Sequence, residues 1–191
     1  MELFRSDSEL LAGSVTDRSL FAVLYERHGP PVRRYVGRRV GSEAGEDLTA
    51  EVFVRAFRAR DRYRADRDSA LPWLLGVANH VIADHRRAER RRLAALRRLA
   101  GAPEELVEHR DAALAPELVR ELQRLAASDR DTLLLVVWGE LSYEEAAAAL
   151  GVPIGTVSSR IVRARRQLAG AIGESQPSRR ASLETAEPTN V

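Results

Sequence analysis

Two arginines, Arg163 and Arg166, stand with Ser159 and Val162 on one side of a stretch whose other side is apolar. A guanidinium group keeps its charge and pairs in a planar fork with phosphate oxygens or with the N7 and O6 atoms of guanine. A helix with small residues at its start and arginines further on can sink its end into a DNA major groove. The surrounding residues, 141–168, read LSYEEAAAALGVPIGTVSSRIVRARRQL. Val157, Ile161, Ala164 and Leu168 are spaced by 4, 3 and 4 residues, the signature of one buried helical face. At about 100° per residue, the opposite face carries Gly155, Ser159, Val162, Arg163 and Arg166, with Ser158 and Arg160 on its flanks. Upstream, Ser142 and Glu145 have capping-box spacing, and Gly151 sits where a left-handed turn would be unstrained. Ala146, Ala147 and Leu150 then line the inner face of a first helix, and Val152 and Ile154 plug the corner. The plain alternative is an Ala-rich helical hairpin with solvated arginines. Cap, turn and basic face agree, which favours a DNA-binding helix-turn-helix.

A second concentration of chemistry lies upstream. Arg86, Arg87, Arg90, Arg91, Arg92, Arg97 and Arg98 face a single acid in the same run, Glu89. The aromatics Tyr63 and Trp73 precede them beside a polar loop. Aromatic faces next to cations suit unstacked bases as well as duplex phosphates, whereas the plain reading puts Trp73 in a core. His80, Asp84 and His85 offer a rival chemistry, because His80 and Asp84 share a helical face and could ligate a metal. Hydrolytic metal sites usually take three protein ligands, and the other two histidines, His28 and His109, have no paired pattern around them. No Gly-rich phosphate loop, nucleophile elbow or carboxylate pair appears in the sequence. Neither a metal nor a cofactor is therefore expected, and an enzyme is the weaker reading.

The elements that must position these groups are helical throughout. Of 191 residues, 45% are hydrophobic but only 5% aromatic, which points to Leu/Ala/Val helix packing rather than an aromatic-rich sheet. All 30 basic residues are arginine, set against 28 acids for a net charge of +2, so distribution matters more than total charge. There are no cysteines, which excludes disulfides and thiolate zinc sites within these residues. The first fifteen residues lack a basic start followed by an apolar run, so no signal peptide is expected. No run of 18 uncharged apolar residues occurs, so no membrane insertion and a cytoplasmic location are expected.

Apolar residues recur at helical spacing in three stripes of a first block: Phe21–Leu24–Tyr25, Leu48–Val52–Phe53–Ala56–Phe57 and Trp73–Leu74–Val77–Val81–Ile82. Pro72 falls where a first helical turn tolerates it. Residues 100–116 contain two prolines with little apolar pattern and read as a linker. Beyond it Leu118, Leu122 and Leu125 share a face, and residues 133–138 form a strongly apolar helix. The polar end of the chain has no period and reads as disordered. The expectation is an all-α protein of two small helical domains joined by a flexible linker. Its divisions are an extension over 1–16, a first domain over 17–98, a linker over 99–116, a second domain over 117–170 and a tail over 171–191.

In this order the two blocks resemble regions 2 and 4 of bacterial RNA polymerase sigma factors of the extracytoplasmic-function (ECF) group. EDLTAEVFVRAF resembles the segment by which region 2 docks on the clamp helices of the polymerase β′ subunit. PWLLGVANHVIADHRR resembles the helix that melts and reads the −10 promoter element, and residues 141–168 resemble the region 4 motif for the −35 element. Only a short linker separates the blocks, the layout of this group. The resemblance implies that Asp47, Glu51, Phe53 and Arg55 lie on or beside the β′-docking helix. It implies that the loop over 62–69, with Arg62, Tyr63 and Arg64, captures a flipped −10 base supported by Trp73 and Asn79. Asp84, Arg86 and Arg87 would sit close to the DNA strands. Thr156, Ser158, Ser159, Val162, Arg163 and Arg166 would face the −35 groove. Two departures stand out: Ala50 occupies a place where the family usually has glutamine, and residues 126–131 (AASDRD) replace a Leu-Pro-Pro helix start, read as a variant cap without functional consequence.

The implied partners are core RNA polymerase through its β′ clamp helices and β flap, promoter DNA, and an anti-sigma factor that masks one or both domains. Opening duplex costs a few kcal/mol per disrupted step, more than two small domains supply alone, so free protein should bind DNA poorly. An ordinary helix-turn-helix regulator is the remaining rival. It would explain residues 141–168 but leave the first block without a role.

Overall fold

The computed structural model describes residues 5–63, 69–100 and 116–174. Arg64, most of the expected linker (101–115) and the end of the tail (175–191) lie outside these residues. Eight α-helices make up the described chain, in the order α1 Asp7–Gly13, α2 Leu20–Val40, α3 Ser42–Ala59, α4 Leu71–Ala100, α5 Pro116–Arg124, α6 Ala127–Val137, α7 Tyr143–Leu150 and α8 Ile154–Glu174. A 3₁₀ turn over Arg60–Arg62 follows α3, and no strand occurs among the described residues.

The first four helices share one core. α2 and α3 pack side by side, with Phe21 edge-on to Phe57 at 5.2 Å and Tyr25 edge-on to Phe53 at 4.8 Å. α4 closes the bundle through Leu74, Leu75, Ala78, Val81 and Ile82, whereas Trp73 and Val77 of the expected stripe are half-buried. Its last turns run past the core and leave Leu96 and Leu99 exposed.

The extension expected ahead of the first domain also belongs to this core. Ser6 caps α1 by accepting from the Glu9 amide at 3.2 Å, and Glu9 Oε2 accepts from the Ser6 amide at 2.8 Å. A helix of this length is marginal alone. Complete burial of Leu10 and Leu11, each worth about 1.5–3 kcal/mol, holds it in place.

The second unit is built from α5 to α8 around Leu122, Leu133, Leu134, Leu135, Val157, Ile161 and Ala164. The α6 start also departs from expectation. Its N-cap, Ala126, makes no side-chain bond. The carboxylates of that stretch are instead committed to arginines on other helices, Asp129 to Arg163 and Asp131 to Arg39. It is therefore a bracing segment rather than a neutral variant of a cap.

The two units touch. α4 crosses α7 so closely that a Cβ on Gly76 would overlap the Ala149 carbonyl oxygen. Leu75 lies against Gly139, and Arg39 of α2 reaches Asp131 of α6 at 2.5 Å.

Candidate nucleic-acid and polymerase interface

The helix-turn-helix assembles from local rules. Ser142 Oγ accepts from the Glu145 amide at 3.1 Å, and Glu145 Oε2 accepts from the Ser142 amide at 2.8 Å, so the first free amides of α7 are satisfied reciprocally. Gly151 ends α7 at φ 64°, ψ 35°, a left-handed conformation that costs side-chain-bearing residues strain, and its amide returns to Ala147 and Ala148. α8 then buries Val157, Ile161 and Ala164 and turns Ser159, Val162, Arg163 and Arg166 to solvent, with Thr156 and Ser158 half-buried.

Arg163 is held in a fork by Asp129: Nε donates to Oδ2 at 2.9 Å and Nη2 to Oδ1 at 2.8 Å. The Arg163 hydrogen bond holds the Asp129 carboxyl below its usual range, and Asp129 in turn raises the Arg163 guanidinium. An arginine has five N–H donors, so this fork leaves others directed away from Asp129. The arrangement is a cation aimed by a buried carboxylate on a helix face shaped for a groove.

At the start of α4, Tyr63 and Trp73 face each other with ring centroids 5.2 Å apart and planes tilted by 60°. Tyr63 donates to the Ser69 carbonyl at 3.4 Å, and Arg62 lies exposed beside them. Trp73 is half-buried, so one part of its indole packs on the core and the rest can meet a ligand. Asn79 lies elsewhere. It is buried, and its Oδ1 accepts from Tyr35 Oη at 2.7 Å and from Arg39 Nη1 at 2.9 Å. Burial raises the Tyr35 phenol above its ordinary range despite the nearby Arg39 charge.

Further along α4, Asp84 pairs with Arg55 at 2.6 Å and with Arg87, and both hold its carboxyl down, Arg55 most. Arg86 donates to the Arg39 carbonyl at 2.7 Å. Trp73 and Arg87 are 14 positions apart, about 21 Å along a helix. That is the contour of roughly six stacked nucleotides.

On α3, Asp47 is exposed, and Glu51 and Arg55 are half-exposed and joined at 2.7 Å. Hydrogen bonds from Arg55 to Asp84 and then Glu51 raise its guanidinium further. Phe53 is core, 5% exposed, and sits under Tyr25. The side chains that accompany the acids to the surface are Val54 and Tyr25. Sequence periodicity assigned Phe53 to a buried stripe and could have singled out Val54, one position outside it.

The groups of the rival metal reading point to other partners. His80 Nδ1 lies 3.0 Å from the Gly76 carbonyl, His85 Nε2 lies 3.4 Å from Glu89, and Asp84 serves two arginines. Among the described residues no three His, Asp or Glu side chains converge. The sequence reading missed Asp7, a buried carboxylate that accepts from Arg27 at 2.5 Å and from the Ala70 amide at 2.7 Å and lies 2.5 Å from His28 Nε2. Its one cue was the S-x-x-E cap around it.

A basic helix-turn-helix, an aromatic pair at the head of a second basic helix and an acid-bearing helix beside it fit a DNA-binding transcription protein. Comparison with known proteins narrows the class. The profile for "Sigma-70 region 2" matches residues 24–92, and that for "Sigma-70, region 4" matches residues 116–168. The ECF RNA polymerase sigma factor SigC of Mycobacterium tuberculosis is 40% identical over 141 residues, spanning 72% of this chain and 75% of its own. The ECF RNA polymerase sigma-E factor of Escherichia coli K12 is 32% identical over 165 residues, 80% of this chain and 86% of its own. Among solved structures, CnrH in complex with the cytosolic domain of CnrY aligns with a TM-score of 0.61 at 24% identity, covering 89% of this chain and 99% of that one, a likeness of fold. The chain belongs to the ECF group of sigma factors, which direct RNA polymerase to promoters.

Proposed function

We propose that α3 docks this chain on core RNA polymerase through Asp47 and Glu51 with Val54 and Tyr25 beside them. α4 with Tyr63, Trp73, Arg62 and Arg87 holds the opened −10 strand, and α8 reads the −35 duplex through Ser159, Val162, Arg163 and Arg166. The observation that carries the reading is the order of two matched blocks, 24–92 and 116–168, together with the outward basic face of α8. Region 2 takes an extruded base between aromatic faces and does no chemistry on it. Region 4 binds through phosphates and a few base edges, where a good bidentate pair is worth about 1–3 kcal/mol. Asp129 contributes by fixing the direction of Arg163 before DNA arrives, which lowers the entropic cost of each contact.

An anti-sigma factor fits this reading as the regulator, supported by fold likeness to the Bartonella quintana sigma factor RpoE, solved in complex with the anti-sigma factor NepR. A cytoplasmic location follows from this reading, since the chain would act with RNA polymerase. No helix among the described residues is long and apolar enough to cross a membrane.

Run-off transcription with purified core polymerase tests the reading. Transcripts should start only when both proteins are present, and free protein should bind the same promoter duplex weakly. Tight duplex binding without any initiation would mark an ordinary helix-turn-helix regulator instead.

A further inference from the structure

α1 lies ahead of the matched region 2 profile, which begins at residue 24, yet it is tied to both sides of the aromatic pair. Tyr63 and Trp73 are ten positions apart in the chain and meet with ring centroids 5.2 Å apart. Each follows an anchor on α1 by three residues. On the Tyr63 side, Arg60 Nε donates at 3.1 Å to the carbonyl of Ser14, just past the end of α1, and the Arg60 guanidinium lies 3.8 Å over the Phe57 ring. The Tyr63 amide then donates to the Arg60 carbonyl at 3.3 Å. On the Trp73 side, the Ala70 amide donates to Asp7 Oδ2 at 2.7 Å, and the Ala70 carbonyl accepts from the Leu74 amide at 3.0 Å. Asp7 therefore fixes the point at which α4 starts, one turn before Trp73.

Both anchors are built into the core. Asp7 is 2% exposed and Ala70 1%, so water cannot readily replace the carboxylate on the Ala70 amide. The carboxylate is itself held, with Arg27 Nη1 donating to Oδ1 at 2.5 Å and His28 Nε2 lying 2.5 Å from Oδ2. Buried Leu10 and Leu11 seat α1 between the anchors, and Ser14 Oγ closes its end on the Leu11 carbonyl at 2.7 Å. Asp7 and Ser14 are thus one rigid helix length apart, about 10 Å. A surface that accepts an unstacked base needs its rings held at the right spacing beforehand, because a misplacement of about 1 Å can cost a hundredfold.

Resting on the sigma-factor reading, we propose that α1 is a positioning element for the −10 strand: Asp7 and the Ser14 carbonyl hold Ala70 and Arg60, and through them set Trp73 and Tyr63 at the spacing that accepts an extruded base. Asp7 and Arg60 are positioning residues and touch no nucleotide. Asp7→Ala leaves the Ala70 amide without its acceptor, and Arg60→Ala releases the Ser14 carbonyl. Arg27→Ala is the control, since it removes a bond to Asp7 and leaves the Ala70 anchor in place.

The test uses holoenzyme assembled from the full chain and core polymerase. Its probe is a single-stranded −10 oligonucleotide of a promoter that the holoenzyme transcribes, with 2-aminopurine at the extruded base. Asp7→Ala and Arg60→Ala should each weaken oligonucleotide binding by roughly tenfold to a hundredfold and reduce the fluorescence gain of the extruded base. Arg27→Ala should lower the thermal midpoint without either loss, and competition for core polymerase should match the parent in all three. The slope of log K against log salt should also keep the parent's value, because no phosphate contact is removed. Parent-like oligonucleotide binding in both Asp7→Ala and Arg60→Ala overturns the proposal. An equal loss in Arg27→Ala also overturns it, by making the effect one of stability alone. A shallower salt slope in Arg60→Ala would make Arg60 a phosphate ligand and overturn its anchoring role. Where Asp7→Ala fails to fold, Arg60→Ala, at a half-exposed side chain, carries the test. A parent holoenzyme that neither binds the oligonucleotide nor initiates overturns the sigma-factor reading, whereas a competent parent matched by its variants overturns the role of α1 alone.

Discussion

At the scale of single residues, two carboxylates decide where arginines point. Asp129 grips Arg163 in a bidentate fork and leaves its remaining donors outward. Arg163→Ala should therefore lower transcription from a −35-dependent promoter by about fivefold to a hundredfold, the range for one lost base-reading pair. Competition for core polymerase should stay unchanged. Equal loss on templates with and without the −35 element would show that Arg163 reads no base. Asp7 does the same work inside the first unit. Burial would raise its carboxyl, but the hydrogen bond from His28, the Ala70 amide, the charge of His28 and the Arg27 bond together hold it at about 2, against an ordinary value of 3.8. A depressed acid stabilises the fold above its unfolded pKa and loses that contribution as pH falls through the folded value. The difference corresponds to about 2 kcal/mol, present at neutral pH and lost between about pH 4 and 2. Urea midpoints of the parent and Asp7→Asn should differ at pH 7 and converge toward pH 2, and a constant gap across that window would refute the assignment.

At the scale of elements, legibility followed locality. The α7–turn–α8 unit was readable because each of its determinants lies within a few residues of the next: Ser142 with Glu145, Gly151 at the turn, and Val157, Ile161 and Ala164 on one face. Ser142→Ala should cost about 1 kcal/mol by leaving the first amides of α7 without their partner. Thermal unfolding of the full chain checks this, and Ser142→Asp should restore most of the loss. The stripes of α3 and α4 were readable for the same reason. Long-range ties were not. Nothing distinguishes Arg39 from the other 29 arginines until α6 brings Asp131 to it, and beyond the local cap of Ser6 and Glu9 nothing marks Asp7 until Ala70, 63 residues away, returns to it. Asn79 shows the limit of carrying a role along a motif. It lies on α4 as the motif implies, but its position about the helix axis turns it toward Tyr35 and Arg39. Phe53 was read both as core stripe and as docking residue, and its burial under Tyr25 supports the first.

At the scale of the whole molecule, reach is the controlling quantity. Promoter elements about 25 base pairs apart require the two reading surfaces to separate by roughly 85 Å. α4 has 30 residues and spans about 45 Å from the aromatic pair to its far end. The 16 peptide steps between Ala100 and Pro116 can add at most about 55 Å of contour. Together these reach about 100 Å, a margin of only about 15 Å over the requirement. Deleting residues 103–112 leaves six steps, about 20 Å of contour, and a total near 65 Å, which falls short. The shortened chain should still bind core polymerase and still use a strong −10 element, because α3 and α4 are untouched. It should lose the increment that a −35 element adds to run-off transcription, and restoring ten Gly/Ser residues should return it. Undiminished stimulation by the −35 element in the shortened chain would show that the second unit reaches DNA by a path in which α4 and the connecting segment do not set the distance.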